Sequence, residues 1–305
     1  MKKRSRLRLF TCLLGGLVLC PGASACLAQG QPPPDHPAVT VKGQTYTPRS
    51  ILARNMGSEA DRITQFAPHK IIGNIFYVGT TTLSSFLVAT PQGHILINTT
   101  YERNAATIEK SVTQLGFKFS DIKILLGNHA HGDHQEGDAL VKQMTGAQAM
   151  AMAEDVPALQ AMKPGGKEHP VDRILHDGDT ATLGGTTLVA HLTPGHTRGC
   201  TTWTTTAQEQ GKTYNVMFGC SLRPPAVLTP ALVEEFNRAF KTVRALPCDV
   251  QLGDHGAQYN MQEKYAKLKA GGPNPFVDPS TCTLEADVEE AMFHAILAEQ
   301  QAARP

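Results

Sequence analysis

The sequence is short of long apolar runs, of basic charge beyond its first thirty residues, and of repeats, and each shortage excludes a class of protein. Its N-terminal apolar stretch, Leu9 to Cys20, has 12 residues, well below the roughly 20 a helix needs to span hydrocarbon. That stretch is therefore no membrane anchor, and no transmembrane span is expected in the mature chain. Five of the 28 basic side chains (Lys2, Lys3, Arg4, Arg6, Arg8) lie in the first thirty residues, which hold no acid; the remainder carries 23 basic against 27 acidic groups, a net charge of −4. A body of that sign has no basic stripe to neutralise phosphates, which argues against nucleic acid as a partner. There is no short-period repeat and no interior low-complexity tract. With 305 residues, 41% of them hydrophobic and 18% charged, the chain is globular in composition and long enough to bury a sizeable core, so a mini-protein held up only by disulfides or metal is excluded.

What is present begins with an export signal. A cationic segment to Arg8, the apolar run, and the small residues Ala23-Ser24-Ala25 have the layout of a cleaved secretory peptide over residues 1–28, which places the mature protein in the periplasm. The cut falls after Ala25 or after Ala28; processing at Cys26 as a lipoprotein is the minor alternative. Four cysteines remain (Cys200, Cys220, Cys248, Cys282), and in an oxidising compartment they allow three pairings. Two β-rich runs around Gln208-Glu209-Gln210-Gly211 read as a hairpin that sets Cys200 opposite Cys220. The preferred pairing is thus Cys200 with Cys220, leaving Cys248 with Cys282; the alternative leaves Cys200 and Cys220 as small buried hydrophobes.

Residues 29–60 read as an extended, proline-containing lead-in and residues 61–305 as one domain. Short β-rich runs from Lys70 to Asn98, broken by Gly-Asn and Gln-Gly turns, predict an antiparallel meander. A helix over Glu102–Leu115, a strand at Ile122–Leu126 and a helix from Asp138 follow. A second cycle has strands at Arg173–Leu175 and Thr186–Leu192, the hairpin, a helix over Ala231–Ala245, a strand at Val250–Leu252, and helices over Gln258–Lys269 and Leu284–Gln300. Two strand-rich halves with helices outside predict an α+β chain of two sheets packed face to face, helices covering both outer surfaces.

The chemistry concentrates in Gly127-Asn128-His129-Ala130-His131-Gly132-Asp133-His134, directly after the apolar strand at Ile122–Leu126. Three imidazoles and a carboxylate at a strand exit are the ligand types that zinc accepts, and catalytic zinc keeps one position open. His129 and His131, two apart, point the same way on an extended backbone, while Gly132 lets the chain turn so that Asp133 and His134 face a neighbouring point. Two metals side by side are implied. Further ligands should come from rigid strand exits. His196, in Thr193-Pro194-Gly195-His196, and His255, in Gly253-Asp254-His255, both fit. The other seven histidines are set aside as flanking or structural residues.

The motif His129-Ala130-His131-Gly132-Asp133-His134, with His196 and His255 downstream, resembles the signature of the metallo-β-lactamase superfamily, whose fold is the αββα sandwich of two mixed sheets. Within it, Cys220-Ser221-Leu222 resembles subclass B3 of the class B β-lactamases, which has serine where other subclasses use a cysteine ligand. The Cys248 to Cys282 spacing is similar to that subclass's C-terminal disulfide. The resemblance implies a secreted, monomeric hydrolase that opens the β-lactam amide bond with a zinc-bound hydroxide and confers resistance to β-lactams, carbapenems included. It implies two Zn²⁺, one on His129, His131 and His196, the other on Asp133, His134 and His255. Asp133 also orients the attacking group, and Ser221 and Arg223 position the substrate carboxylate, with the loop Pro157–Pro170 over one rim. Asn98 stands where the superfamily commonly has a supporting aspartate, which weakens ligand orientation, and Asn128 replaces a threonine. Cys220 as a ligand of the second zinc is an alternative to its disulfide. Rival functions are another binuclear zinc hydrolase of the same fold, such as a thioesterase or lactonase, and a non-enzymatic periplasmic zinc-binding protein.

Overall fold

The computed structural model describes residues 35–303; the secretory segment and Cys26 lie outside them. The first sheet has seven strands in sequence order: β3 (His69–Ile72), β4 (Ile75–Tyr77), β5 (Phe86–Thr90), β6 (Gly93–Ile97), β7 (Ile122–Leu126), β8 (Gln148–Met152) and β9 (Arg173–Leu175). The first four form the expected meander, and β6 to β9 run parallel. The second sheet has five strands: β10 (Thr180–Leu183), β11 (Thr186–Leu192), β12 (Thr201–Glu209), β13 (Lys212–Gly219) and β14 (Val250–Gly253). Its strands alternate in direction until β14, which lies parallel to β13.

Side-chain alternation explains the layers, because successive residues of a strand face opposite sides. Phe86, Val88, Ile95, Ile97, Ile124 and Leu126 point into the inter-sheet core, where Trp203, Val216, Phe218 and Leu252 of the second sheet meet them. Leu87, Leu96 and Leu125 point the other way, onto Ile108 and Val112 of helix α2 (Ala105–Gln114) and Val141 of α4 (Asp138–Thr145). Met217 faces outward onto α6 (Pro230–Ala245) and α8 (Leu284–Ala302), through Phe236, Phe240 and Phe293. Helix, sheet, sheet, helix is the layered architecture the sequence predicts. Among the described residues no helix is long and apolar enough to cross a membrane.

Two expectations about elements change. Residues 29–60 are not extended throughout: β1 (Val39–Val41) pairs with β2 (Gln44–Tyr46), and α1 (Pro48–Met56) follows. Val39, Val41, Tyr46 and Ile51 pack on the α6–α8 layer, so the burial of a few apolar side chains pulls this segment into the domain. The stretch Pro157–Pro170 is a loop only in part, since its start belongs to α5 (Val156–Ala161).

The hairpin of β12 and β13 closes through Gln210 and Gly211, both at positive φ (51° and 75°), as a tight two-residue turn of the strands' own twist requires. Cys200 and Cys220 consequently face one another, their Cα atoms 5.9 Å apart, and are joined as a disulfide; Cys248 and Cys282 form the second, at 6.0 Å.

Candidate metal centre

Chain segments from both sheets converge at one end of the sandwich. The first leaves β7 at Gly127, whose backbone passes so close to the Gln135 side-chain amide that a Cβ at 127 would overlap it. The Trp203 indole N–H donates to the Gly127 carbonyl (3.0 Å), pinning this exit to the second sheet. Asn128 follows, 1% exposed. Its backbone N–H donates to Asn98 Oδ1 (2.9 Å), Asn98 Nδ2 donates to Asn128 Oδ1 (2.7 Å), and Asn128 Nδ2 donates to the carbonyls of Thr201 and Phe218 (2.9 and 3.2 Å). The expectation that Asn98 weakens the site takes no account of this reciprocal pair. An aspartate at 98 has no N–H to give Asn128, so the two departures from the family pattern fit each other, and Asn98 tolerates the left-handed φ of 63° found there.

His129, His131 and His196 come together, with ring centroids 4.7 to 4.9 Å apart and one ligand nitrogen from each within 4.8 Å of the others. His196 Nδ1 donates to the Arg223 carbonyl (3.0 Å), which leaves Nε2 as its free lone pair. Asp133, His134 and His255 form a second group on the same 4.8 Å criterion; Asp133 Oδ2 lies 3.3 Å from His134 Nε2 and 3.8 Å from His255 Nε2. The two groups adjoin, with the His129 and His134 rings 4.3 Å apart. All six predicted ligands are therefore in one place.

The donor set fits a pair of zinc ions. His129 Nε2, both nitrogens of His134 and His255 Nδ1 are buried without any hydrogen-bond partner, a costly arrangement unless something binds them. Burial pushes His129 down to about 3 and His255 down to about 4, and lowers His131 and His196 as well. Neutral imidazole is the form that ligates metal. Burial opposes charging of His134 too, but the Asp133 and Asp254 carboxylates outweigh it and raise that group. Asp133 is disfavoured as an anion by burial, yet the surrounding imidazoles hold it well below the usual carboxylate range.

Two carboxylates in the centre have no counterpart among the expected site residues. Asp254, fully buried, lies with Oδ2 3.2 Å from His129 Nδ1 and accepts from the Ser221 N–H (2.8 Å) and hydroxyl (2.9 Å). Asp155, 3% exposed, accepts from the Ala130 and Gly199 N–H groups (2.9 and 2.7 Å) and the Thr197 hydroxyl (2.8 Å). It thus ties the His131 segment to the His196 segment. Asp254 carried a sequence signal, being next to a ligand at a strand exit; Asp155 carried none, because its partners are 25 to 44 residues away.

Ser221 is 3% exposed, and its hydroxyl both donates to Asp254 and accepts from Gln258 Nε2 (3.0 Å). Arg223 is half-buried and close enough for its charge to lower His131, His196 and His255. Cys220 Sγ lies 3.5 Å from His129 Nδ1, but the bond to Cys200 occupies the sulfur. Among the histidines set aside, His169 Nε2 donates to the Gln135 carbonyl (3.0 Å) and His191 pairs with the Thr204 hydroxyl (2.8 Å).

No family model matches the chain. Among solved structures it is similar to the native FEZ-1 metallo-beta-lactamase from Legionella gormanii, with 40% identity over 78% of this chain and 98% of that one and a TM-score of 0.75. BJP-1, a subclass B3 metallo-beta-lactamase of Bradyrhizobium japonicum, gives 37% over 80% and 98%, with a TM-score of 0.74. The class B3 di-zinc metallo-beta-lactamase LRA-12 from an Alaskan soil metagenome gives 28% over 78% and 96%, with a TM-score of 0.72. With six ligands assembled on the expected sandwich and relatives of this identity matched over nearly their whole length, the chain belongs to the metallo-β-lactamases, its likeness lying with subclass B3.

Proposed function

We propose that the protein is an exported, periplasmic zinc β-lactamase that hydrolyses the amide bond of β-lactams, carbapenems among them, and so confers resistance. The observation that carries the proposal is the pair of adjoining three-ligand groups, His129/His131/His196 and Asp133/His134/His255, in a chain similar to enzymes that bear the metallo-beta-lactamase name. Two zinc ions held there would bring the pKa of water toward 7 and polarise the lactam carbonyl. The chain's own residues do the rest. Asp133, at the edge of the cluster, accepts a hydrogen bond from the water and aims it. Asp155 and the Asn98–Asn128 pair fix the segments that carry the ligands, so little reorganisation is needed at the moment of reaction. Arg223 offers a planar, permanently charged fork to the carboxylate that penicillins, cephalosporins and carbapenems share. Ser221, committed to Asp254 and Gln258, supports the segment on which Arg223 is carried.

The test is hydrolysis of nitrocefin and imipenem by purified, zinc-loaded protein, with and without a chelator. Turnover that the chelator abolishes supports the proposal. Turnover of a thioester or lactone but of neither lactam would reassign the site to another hydrolase of this fold, and tight zinc binding with no turnover would leave a zinc-binding protein.

A further inference from the structure

Asp254 is a fully buried carboxylate with three claims on it. Oδ1 accepts from the Ser221 hydroxyl; Oδ2 accepts from the Ser221 N–H and lies 3.2 Å from His129 Nδ1. On the opposite side of the same imidazole, Nε2 is buried and unpartnered. A buried charge is retained only where it is paired and hydrogen-bonded, and here the pairing reaches a ligand imidazole from the side away from its free lone pair.

We infer that Asp254 is a positioning residue for the metal held by His129: its Oδ2 keeps the proton on Nδ1, presents Nε2 as the donor lone pair, and makes that nitrogen a stronger ligand. The inference rests on the zinc centre proposed above. The physical logic is that an imidazole has two tautomers, only one of which leaves Nε2 free, and a carboxylate at Nδ1 selects it. On this account Asp254 acts through His129, because its Oδ2 faces Nδ1, the nitrogen away from the free lone pair; direct ligation with His129 and His134, whose donor atoms lie within 4.8 Å of its own, is the rival the metal count decides. Asp254 also comes from the exit of β14, adjacent to His255. One residue therefore connects His129 of the first group to the segment that carries His255 of the second.

The test uses the full chain with Asp254→Ala and Asp254→Asn, each first checked for folding by apo-protein melting. Zinc affinity is read by competition with a chromophoric chelator, and the cobalt(II)-substituted proteins are examined by proton NMR for the hyperfine-shifted, exchangeable Nδ1–H of His129. All variants should still bind two equivalents of metal. D254A should bind the His129-held zinc roughly 10- to 100-fold more weakly and lose the Nδ1–H resonance to exchange. D254N, whose amide oxygen can still accept, should stay within several-fold of the wild type with a faster-exchanging resonance.

Wild-type affinity and an intact resonance in D254A would overturn the inference. So would the loss of one whole equivalent of zinc, which would make Asp254 a direct ligand. Should D254A fail to fold, D254N decides alone, and an exchange rate equal to the wild type's overturns the inference. If the wild-type protein binds no zinc at all, the zinc centre fails and not this assignment in particular.

Discussion

Replacing Asp155 by asparagine is the most informative single perturbation of the scaffold around the metal groups. The carboxylate accepts from Ala130 N–H and Thr197 hydroxyl on Oδ2 and from Gly199 N–H on Oδ1. In its least costly orientation an asparagine keeps its oxygen on the first two and turns its NH₂ toward Gly199, so one charge-assisted bond becomes a donor facing a donor. Losing a hydrogen bond to a charged acceptor costs roughly 1.5–3 kcal/mol, and weakening the other two adds about 1 kcal/mol more. Part of this is offset because burial already raises the Asp155 carboxyl, which means its ionised form is held at some expense. The expected net is about 2–3 kcal/mol. For a domain of this size that corresponds to a fall in Tm of roughly 5–10 °C, measured by calorimetry on the metal-free protein. Because the bonds join the His131 and His196 segments, zinc affinity should also fall roughly 10- to 100-fold, as for other residues that orient ligands. Thr197→Ala, which removes one neutral donor, should cost only about 1 kcal/mol. A D155N protein whose Tm lies within about 2 °C of wild type and whose zinc affinity is unchanged would refute the reasoning.

Other expectations follow from the same contacts. Arg223→Ala keeps the backbone carbonyl that receives His196 Nδ1, so zinc content and kcat should hold while KM for imipenem rises roughly tenfold or more; an unchanged KM rejects the arginine as substrate anchor. Gly127→Ala drives a methyl into the Gln135 amide and should destabilise by roughly 1–3 kcal/mol, read from urea unfolding; no change would show that Gln135 moves aside freely. Burial, and then the charge of Glu285, place Glu289 well above the usual carboxylate range. The folded chain thus keeps a proton that the unfolded chain gives up, a cost that is absent below the unfolded value and grows as pH rises past it. Glu289→Gln should therefore melt like the wild type at pH 4 and at a higher temperature at pH 8, and equal Tm values at both would contradict this.

Sequence and structure agree where the pattern was local. The unbroken apolar runs Phe86–Val88, Ile95–Ile97 and Ile124–Leu126 mark strands buried on both faces, one set of side chains entering the inter-sheet core and the other meeting the helices. The six ligands were legible for a similar reason: each is a chemically distinctive residue at a strand exit. β8 was not anticipated, since Gln148–Met152 is glutamine followed by alternating alanine and methionine, residues with little β-preference that become a strand only through pairing with β7 and β9. Residues 39–56 were misjudged because their apolar side chains are few, and their partners lie in α6 and α8, distant in sequence. Asp155 shows the same limit at the site, and so does the role, though not the position, of Asp254. A carboxylate's role there is set by which backbone N–H groups surround it, and those come from segments that only the fold brings together.

The central claim is that six side chains from three separate stretches hold two zinc ions. Elemental analysis of the purified, folded protein, alongside His196→Ala and His255→Ala, tests it most directly. About two zinc per wild-type chain and about one in each variant are expected, because each substitution breaks one three-ligand group. A folded wild-type protein that takes up no zinc, or variants that retain the full complement, would contradict it.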